Sequence, residues 1–357
     1  MEPTGPTAVA PGYTLILAGI YSMLGPGLAA EICKAVLSIG VVPAQYALLP
    51  CLAGRLGLGM GAGVLAGLAG ALLPLKPQVE VRGDWEAGLA GLLFTVLVGL
   101  MVRQWEKRDW KMRDAAWLGF CWGLAVLVHS SLLLAVGLVL AGELWRTGHR
   151  GNDWGGYLRY GVILGAVVLL VQAPWVCRNY RELGALVITR SNLGLELWMS
   201  NQERAEPVLL NNESINRQHP GSNREEAARV RAMGEIAYNR MRLEEAKAWA
   251  LANPGKFVWL TTQRWLYHWF PMAPPLPVGR RVLMCAVTAL ALLGYFQLWR
   301  RKRSAAAVIG LAVLGHAAVY ALIYTHVRYR YPVDALLLLL GSFPVAGWVK
   351  DRTGFNG

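Results

Sequence analysis

Long apolar runs, broken by short segments that hold most of the charge, set the pattern of this chain. The runs fall near 29–53, 57–75, 87–102, 115–129, 131–145, 158–174, 281–299, 304–325 and 333–349. About 17–25 mostly apolar residues suffice to cross a bilayer core of about 30 Å as a helix. Lipid offers the backbone no partner, so such runs predict helices, whose backbones bond to themselves. The pattern thus predicts an all-α fold, a polytopic transmembrane helical bundle of about eight or nine spans. The short pair 115–129 and 131–145 reads either as one long bent helix or as a two-span hairpin. Basic residues favour the hairpin. With it, Arg55, the group from Arg103 to Arg113, then Arg146, Arg150 and Arg159, the run Arg300–Arg303, and Lys350 with Arg352 all share one side. The positive-inside rule makes that side cytoplasmic.

Between 175 and 280 the pattern changes. Residues 223–252 alternate Ala, Met, Leu and Ile with Arg and Glu at helical spacing, which predicts an amphipathic helix facing solvent. Residues 255–270 (GKFVWLTTQRWLYHWF) load aromatic rings onto a further helix, suited either to the headgroup boundary or to a buried core. Three parts result: an N-terminal transmembrane region at 1–174, a periplasmic helical domain at 175–280, and C-terminal transmembrane helices at 281–357. Residues 1–28, 76–86 and 326–332 join the helical domain on the outer side, so the chemistry is expected there.

Composition agrees with this reading. The chain is 55% hydrophobic and 16% charged, against about 25% charged for an ordinary soluble domain. Its fifteen tryptophans suit membrane–water interfaces. The net charge of +13 is accounted for by loops that anchor helices, and no basic module with interleaved aromatics points to nucleic acid. The five cysteines form no metal spacing. The start, MEPTGPTAVAPGY, has no basic n-region or h-region of a cleavable signal. P-loop, GxGxxG, GxSxG and HExxH patterns are absent, which removes support from nucleotide-driven transport and the familiar soluble hydrolase schemes.

Ionisable groups beside membrane spans cost free energy unless they pair or face water, so they are candidates for function. Asp84-Trp85-Glu86 stands at the outer mouth of the 87–102 run. Its carboxylates suit a base, a ligand for a divalent cation, or simply a helix cap. After Pro174, which reads as the end of its span, come Arg178, Asn179, Arg190, Ser191, Asn192, Glu196 and Asn201. Guanidinium forks match phosphate oxygens, and amides and hydroxyls match sugar hydroxyls. The segment HVRYRYP at 326–332, if extended, puts Arg328 and Arg330 on one side and Tyr329 and Tyr331 on the other. Two cations there suit a phosphate, or else snorkelling anchors. His129 with Ser130 and Ser131, at the hairpin turn, reads as a structural group.

The stretch PWVCRNYRELGALVITRSNLGLELWMSN at 174–201 resembles the PW-x-x-RNY…RSN-x-GLELW-x-N signature of bacterial integral-membrane glycosyltransferases. That class uses polyprenyl-phosphate sugars and is grouped with protein mannosyltransferases and the aminoarabinose transferase of lipid A. GPTAVAPGYTLILAGIYSMLG, Trp85-Glu86 and RYRYPVD resemble further stretches of the family in matching order. The resemblance implies a C-type glycosyltransferase fold in the cytoplasmic membrane, with an active face on the periplasmic side. It implies a polyprenyl-phosphate sugar donor, a lipid, protein or glycan acceptor, and inversion by a carboxylate. Arg178, Arg190, Arg328 and Arg330 would bind the donor phosphate. Asn179, Asn192, Glu196 and Tyr329 would contact sugar or acceptor. Glu86 and Asp84 would be the catalytic carboxylates, with a divalent cation left open. The family's principal Asp lies upstream of the GPTA stretch, where only Met1 to Thr4 stand here. The resemblance therefore implies either an N-terminally truncated form, which the complete later motifs favour, or a natural form that lacks its base, and in both cases a chain inactive as given. The alternative is a non-catalytic transporter, flippase or binding protein for lipid-linked saccharides, although no internal repeat of the transporter kind is seen.

Overall fold

A computed structural model describes residues 9–73, 86–107, 109–148, 154–209, 217–274 and 276–353. Their regular structure is helical, with a single isolated β-bridge between Val208 and Thr325. In chain order the helices are α1 Pro11–Leu24, α2 Leu28–Ala47, α3 Leu49–Leu56, α4 Met60–Leu72, α5 Ala87–Lys107, α6 Met112–Val128, α7 Leu132–Gly148 and α8 Trp154–Leu183. There follow α9 Leu193–Ser200, α10 Arg224–Met233, α11 Glu235–Ala252, α12 Pro254–Trp269, α13 Val278–Arg301, α14 Arg303–Leu322 and α15 Val327–Thr353. Among the described residues six stretches are long and apolar enough to cross a membrane: Leu28–Leu56, Ala87–Lys107, Trp154–Leu183, Val278–Arg301, Arg303–Leu322 and Val327–Val349. The chain is a multi-pass membrane protein. Helices α1 and α4 are apolar but shorter.

The 112–148 region is a helical hairpin, as the basic residues indicated. Helix α6 stops at His129, whose extended backbone (φ −147°, ψ 108°) ends the helical bonding.

Four local expectations need correction. Apolar residues 11–24 form α1, which starts with Pro11 at its first turn, where the missing N–H has no helical partner to lose. They had been assigned to an outer loop. Pro174 does not end its span. Helix α8 continues through it to Leu183, since proline removes only one interior bond and the flanking turns keep theirs. The 223–252 stretch is two helices, broken at Gly234, whose φ of 80° favours glycine. Asn223 caps the first of them, its Oδ1 accepting from the Glu225 and Glu226 amides. The fourth concerns 326–332, which is helical from Val327 rather than extended. Successive residues on a helix turn by about 100°, so Arg328 and Arg330 diverge by about 200°.

Helix α15 is the centre of the bundle, packed on α4, α5 and α13, while α7 packs on α14 and α6 on α8. The pairs approach closely through small residues, as membrane helices do. A Cβ on Gly315 of α14 would come within 2.7 Å of the Ala135 Cα on α7, and one on Gly294 of α13 would run into the Leu340 carbonyl of α15. The helices α9 to α12 form a separate apolar cluster around Leu195, Met199, Tyr238, Leu260 and Tyr324. It is fastened to the bundle end: the last carbonyl of α14, Leu322 O, accepts from Asn201 Nδ2 (3.1 Å) and from the buried Arg264 (3.1 Å). Helix α12 has one buried and one exposed face, where the sequence offered a headgroup-boundary helix or a core helix as alternatives. Leu260, Arg264 and His268 are buried, while Val258, Trp259 and Leu266 are exposed.

Candidate functional site

Several elements bring polar side chains to the end of the bundle where α5 begins. Glu86 immediately precedes α5, and its carbonyl accepts from the Ala90 amide at 2.8 Å. Its Oε1 lies 3.3 Å from Nδ1 of His129, in the α6–α7 turn. Nε2 of the same ring lies 3.1 Å from the Tyr320 hydroxyl on α14. Burial alone would raise the Glu86 carboxyl. The hydrogen bond and charge of His129, aided by Arg190, outweigh that and bring it down to about 2. Glu86 is thus ionised at neutral pH, so His129 Nδ1 carries the hydrogen of their bond, while Nε2 is engaged by the Tyr320 hydroxyl.

A second histidine extends the network. His316 Nδ1 is 2.7 Å from Ser131 Oγ, and its Nε2 is 2.8 Å from the carbonyl oxygen of Tyr329. Tyr320 lies parallel to both Tyr329 (4.6 Å between centroids) and His268 (5.7 Å). Three helices are therefore fixed against one another by histidine bonds and ring stacking at the site's floor.

Two arginines reach this place. Arg190, in the loop before α9, acts electrostatically on Glu86 and on Tyr329. Arg328, in the first turn of α15, lies over the Tyr329 ring at 5.0 Å, donates to its hydroxyl (3.2 Å), and is within electrostatic range of Glu86. Glu196 accepts from Asn192 Nδ2 (2.8 Å) and from the Tyr324 hydroxyl. Burial and the Glu196 charge hold that phenol well above its usual range.

The remaining candidates are engaged elsewhere. Arg178 rests on Trp175 (5.1 Å) and donates to Asn179 Oδ1. Asn179 is buried and donates to Val187 O at 2.9 Å, fastening the chain after α8. Arg330 is buried against Asp334, with Nε to Oδ1 at 2.7 Å, and donates to Trp269 O at 2.8 Å. Asp84 lies outside the described residues.

The backbone path of this bundle has known counterparts, among them archaeal oligosaccharyltransferases from Archaeoglobus fulgidus. A crystal structure with Zn and sulfate matches with TM-score 0.56 at 16% identity, over 97% of this chain and 41% of that one. The apo form matches with TM-score 0.57 at 16% identity, over 97% and 43%. The enzyme AglB in complex with an inhibitory peptide and a dolichol-phosphate matches with TM-score 0.50 at 14% identity, over 98% and 44%. The likeness is one of fold. The chain spans less than half the length of these structures. No protein-family model matches the sequence, and no curated protein does.

The Zn in one of those structures raises the question of a cation here. Among the described residues no group of three or more His, Cys, Asp or Glu side chains converges. Glu86 and His129 are bonded to each other, and the far ring nitrogen faces Tyr320. A resident zinc needs about three protein ligands, so the described donors do not fit one. His129, His316, Tyr320 and Tyr324 were not among the expected site residues. The sequence carries only a weak sign of them, polar side chains set singly within or beside apolar runs.

Proposed function

We propose that the protein is a membrane glycosyltransferase that takes a sugar from a polyprenyl-phosphate donor at the Glu86 end of the bundle. In this reading α4, α6 and α7 cross the membrane with the six longer stretches, and the Glu86 end faces the periplasm of a cytoplasmic membrane. The observation that carries the reading is that Arg190 and Arg328, from segments far apart in sequence, both lie within electrostatic range of Glu86. A cationic pair beside tyrosine hydroxyls and amides suits a phosphate with a sugar attached.

Chemically, an acceptor oxygen or nitrogen bonds to the anomeric carbon as the bond from that carbon to the phosphate oxygen breaks. The electron pair leaves with the lipid phosphate, which gains charge in the transition state. Arg190 and Arg328 would stabilise that charge more than the ground state, which is the condition for acceleration. The acceptor proton passes to a carboxylate. Glu86, with its pKa near 2, is a poor proton acceptor at neutral pH. It serves instead to orient His129 and to balance the arginines, leaving Asp84 as the candidate base. Asn192, Glu196 and Tyr329 would meet sugar or acceptor. Arg178 and Arg330 are assigned to structure.

The test is direct. The purified protein should bind a polyprenyl-phosphate sugar, and Arg190→Ala and Arg328→Ala should each suppress that binding; release of polyprenyl phosphate with candidate acceptors reports the transfer step separately. If neither donor binding nor release is detected with intact donor, the reading fails. Binding with net movement of donor across liposomes would favour a carrier instead.

A further inference from the structure

At the opposite end of the bundle, about 30 Å from Glu86 along the length of α5, lies a cavity of about 630 Å³. It sits where α5 and α7 end and where α13 turns into α14, lined by Trp105, Glu106, Arg146, Lys302, Arg303 and Ser304 among others. Its size is that of a small-molecule site, and its polar groups are individually placed. Arg146 pairs with the buried Glu143 (2.6 Å) and donates to Ser304 Oγ (2.7 Å). Lys302 donates to Arg55 O (3.1 Å) and pairs with Glu106 (3.3 Å). Arg303 has no hydrogen bond or ion pair among the described residues. Glu143 balances Arg146 and Glu106 balances Lys302, so one positive charge is left over.

The surroundings indicate where the balancing anion comes from. Trp299, 40% exposed, lines the cavity, and Trp145, 70% exposed, immediately precedes the lining Arg146 on α7; exposed tryptophans of this kind favour the headgroup level. Below the mouth α13 presents Leu292, Leu293 and Phe296 outward. Arg300 and Arg301 are laid along Phe296 and Phe343 rather than into the cavity. An apolar track thus leads up to a hollow with one surplus positive charge. A singly charged phosphodiester headed by a small polar group, with acyl chains along α13, matches both halves.

We propose that this cavity binds the headgroup of an anionic phospholipid from the leaflet opposite the candidate active site. Arg303 supplies the unbalanced charge, Lys302 and Arg146 offer further N–H groups, and Ser304, which accepts from Arg146, has its own hydrogen to donate. Basic pockets between helices recognise lipid headgroups by such means.

The full chain in detergent would be studied by native mass spectrometry with dioleoyl phosphatidylglycerol, dioleoyl phosphatidylcholine and glycerol 3-phosphate as probes. The wild type should retain one phosphatidylglycerol in preference to phosphatidylcholine. Arg303→Gln should weaken that binding about fivefold, as expected for one basic group at a membrane surface. Ala307→Phe, which narrows the cavity without altering charge, should weaken it as well. Arg103→Gln, an exposed cation at the same bundle end but outside the cavity, should leave it unchanged. The proposal is overturned if Arg303→Gln and Ala307→Phe bind as the wild type does. It is also overturned if Arg103→Gln weakens binding equally, since the attraction would then be diffuse. Displacement of the lipid by millimolar glycerol 3-phosphate would likewise reject the lipid as occupant, in favour of a soluble phosphate.

Discussion

Removing the Asp334 carboxylate tests whether Arg330 is an anchor or a phosphate ligand. Both side chains are only 2% exposed, and the guanidinium Nε meets Oδ1 at 2.7 Å. Asp334→Asn leaves a buried cation whose other partners are neutral carbonyls. Breaking a buried pair from one side costs about 3–5 kcal/mol, and the buried setting places this variant in that range. Replacing both partners, as Arg330→Met with Asp334→Leu, should recover most of the loss. Of the carbonyls that Arg330 leaves behind, Trp269 O is met by the single hydroxyl hydrogen of Thr288 at 2.6 Å, and Met284 O lies inside α13, where the helical bonding engages it. They are therefore not orphaned, and a residual cost of about 1–2 kcal/mol is expected from imperfect packing. The assay is thermal unfolding in detergent for the single and double variants, with retention of polyprenyl phosphate measured on each. Asp334→Asn unfolding with the wild type would refute the anchor. So would a well-folded double variant whose lipid-phosphate binding falls further than that of Arg328→Ala, because Arg330 would then be touching the donor itself rather than aiming Arg328.

Three further outcomes are expected. Arg190→Ala and Arg328→Ala should each weaken polyprenyl-phosphate binding about tenfold or more, as loss of a charge-assisted contact does, with Arg178→Ala near wild type in a lipid-binding titration. Glu86→Gln should destabilise the protein by an amount that depends on pH. The folded-state pKa of about 2 lies below the ordinary 4.5, so the carboxylate's contribution is complete above about pH 4.5 and is lost as pH falls towards 2. The gap in unfolding midpoint between wild type and variant should accordingly be constant from pH 7 to 5 and narrow below that. Gly294→Ala should cost about 1–3 kcal/mol by overpacking, read as a lowered unfolding midpoint. The neighbour it meets, the Leu340 carbonyl, is backbone and cannot rotate away.

The helices were legible because lipid imposes one rule on every apolar run. The hairpin at His129 was legible from charge alone, since a single helix would have reversed the later basic clusters. What the pattern did not disclose was direction around a helix axis. Arg328 and Arg330 look equivalent in RYRYP, and only the start of α15 at Val327 separates the one that faces Glu86 from the one that faces Asp334. The histidines were hidden for a related reason. His129 and His316 are 187 residues apart yet lie 5.6 Å from centroid to centroid, and no local period reports such a meeting. Asn179 reads in the sequence as a sugar ligand because an amide matches sugar hydroxyls, whereas in the fold its Nδ2 donates to Val187 O.

The buried pair and the half-buried Arg328 on α15 are best understood together. Arg330 and Asp334 share one face, four residues apart, and lock the rotation of the first turns of α15 against α12 and α13 through Trp269 and Met284. Arg328 stands about 200° round that helix from Arg330, so locking the one aims the other. Ser131 and His316 hold the same turn from the opposite side through the Tyr329 carbonyl. The cation facing Glu86 is therefore oriented before any ligand arrives, and little ordering remains to oppose binding of an anion. Cations held in this way contribute most to a charge that appears only as the reaction proceeds, such as that of a departing lipid phosphate.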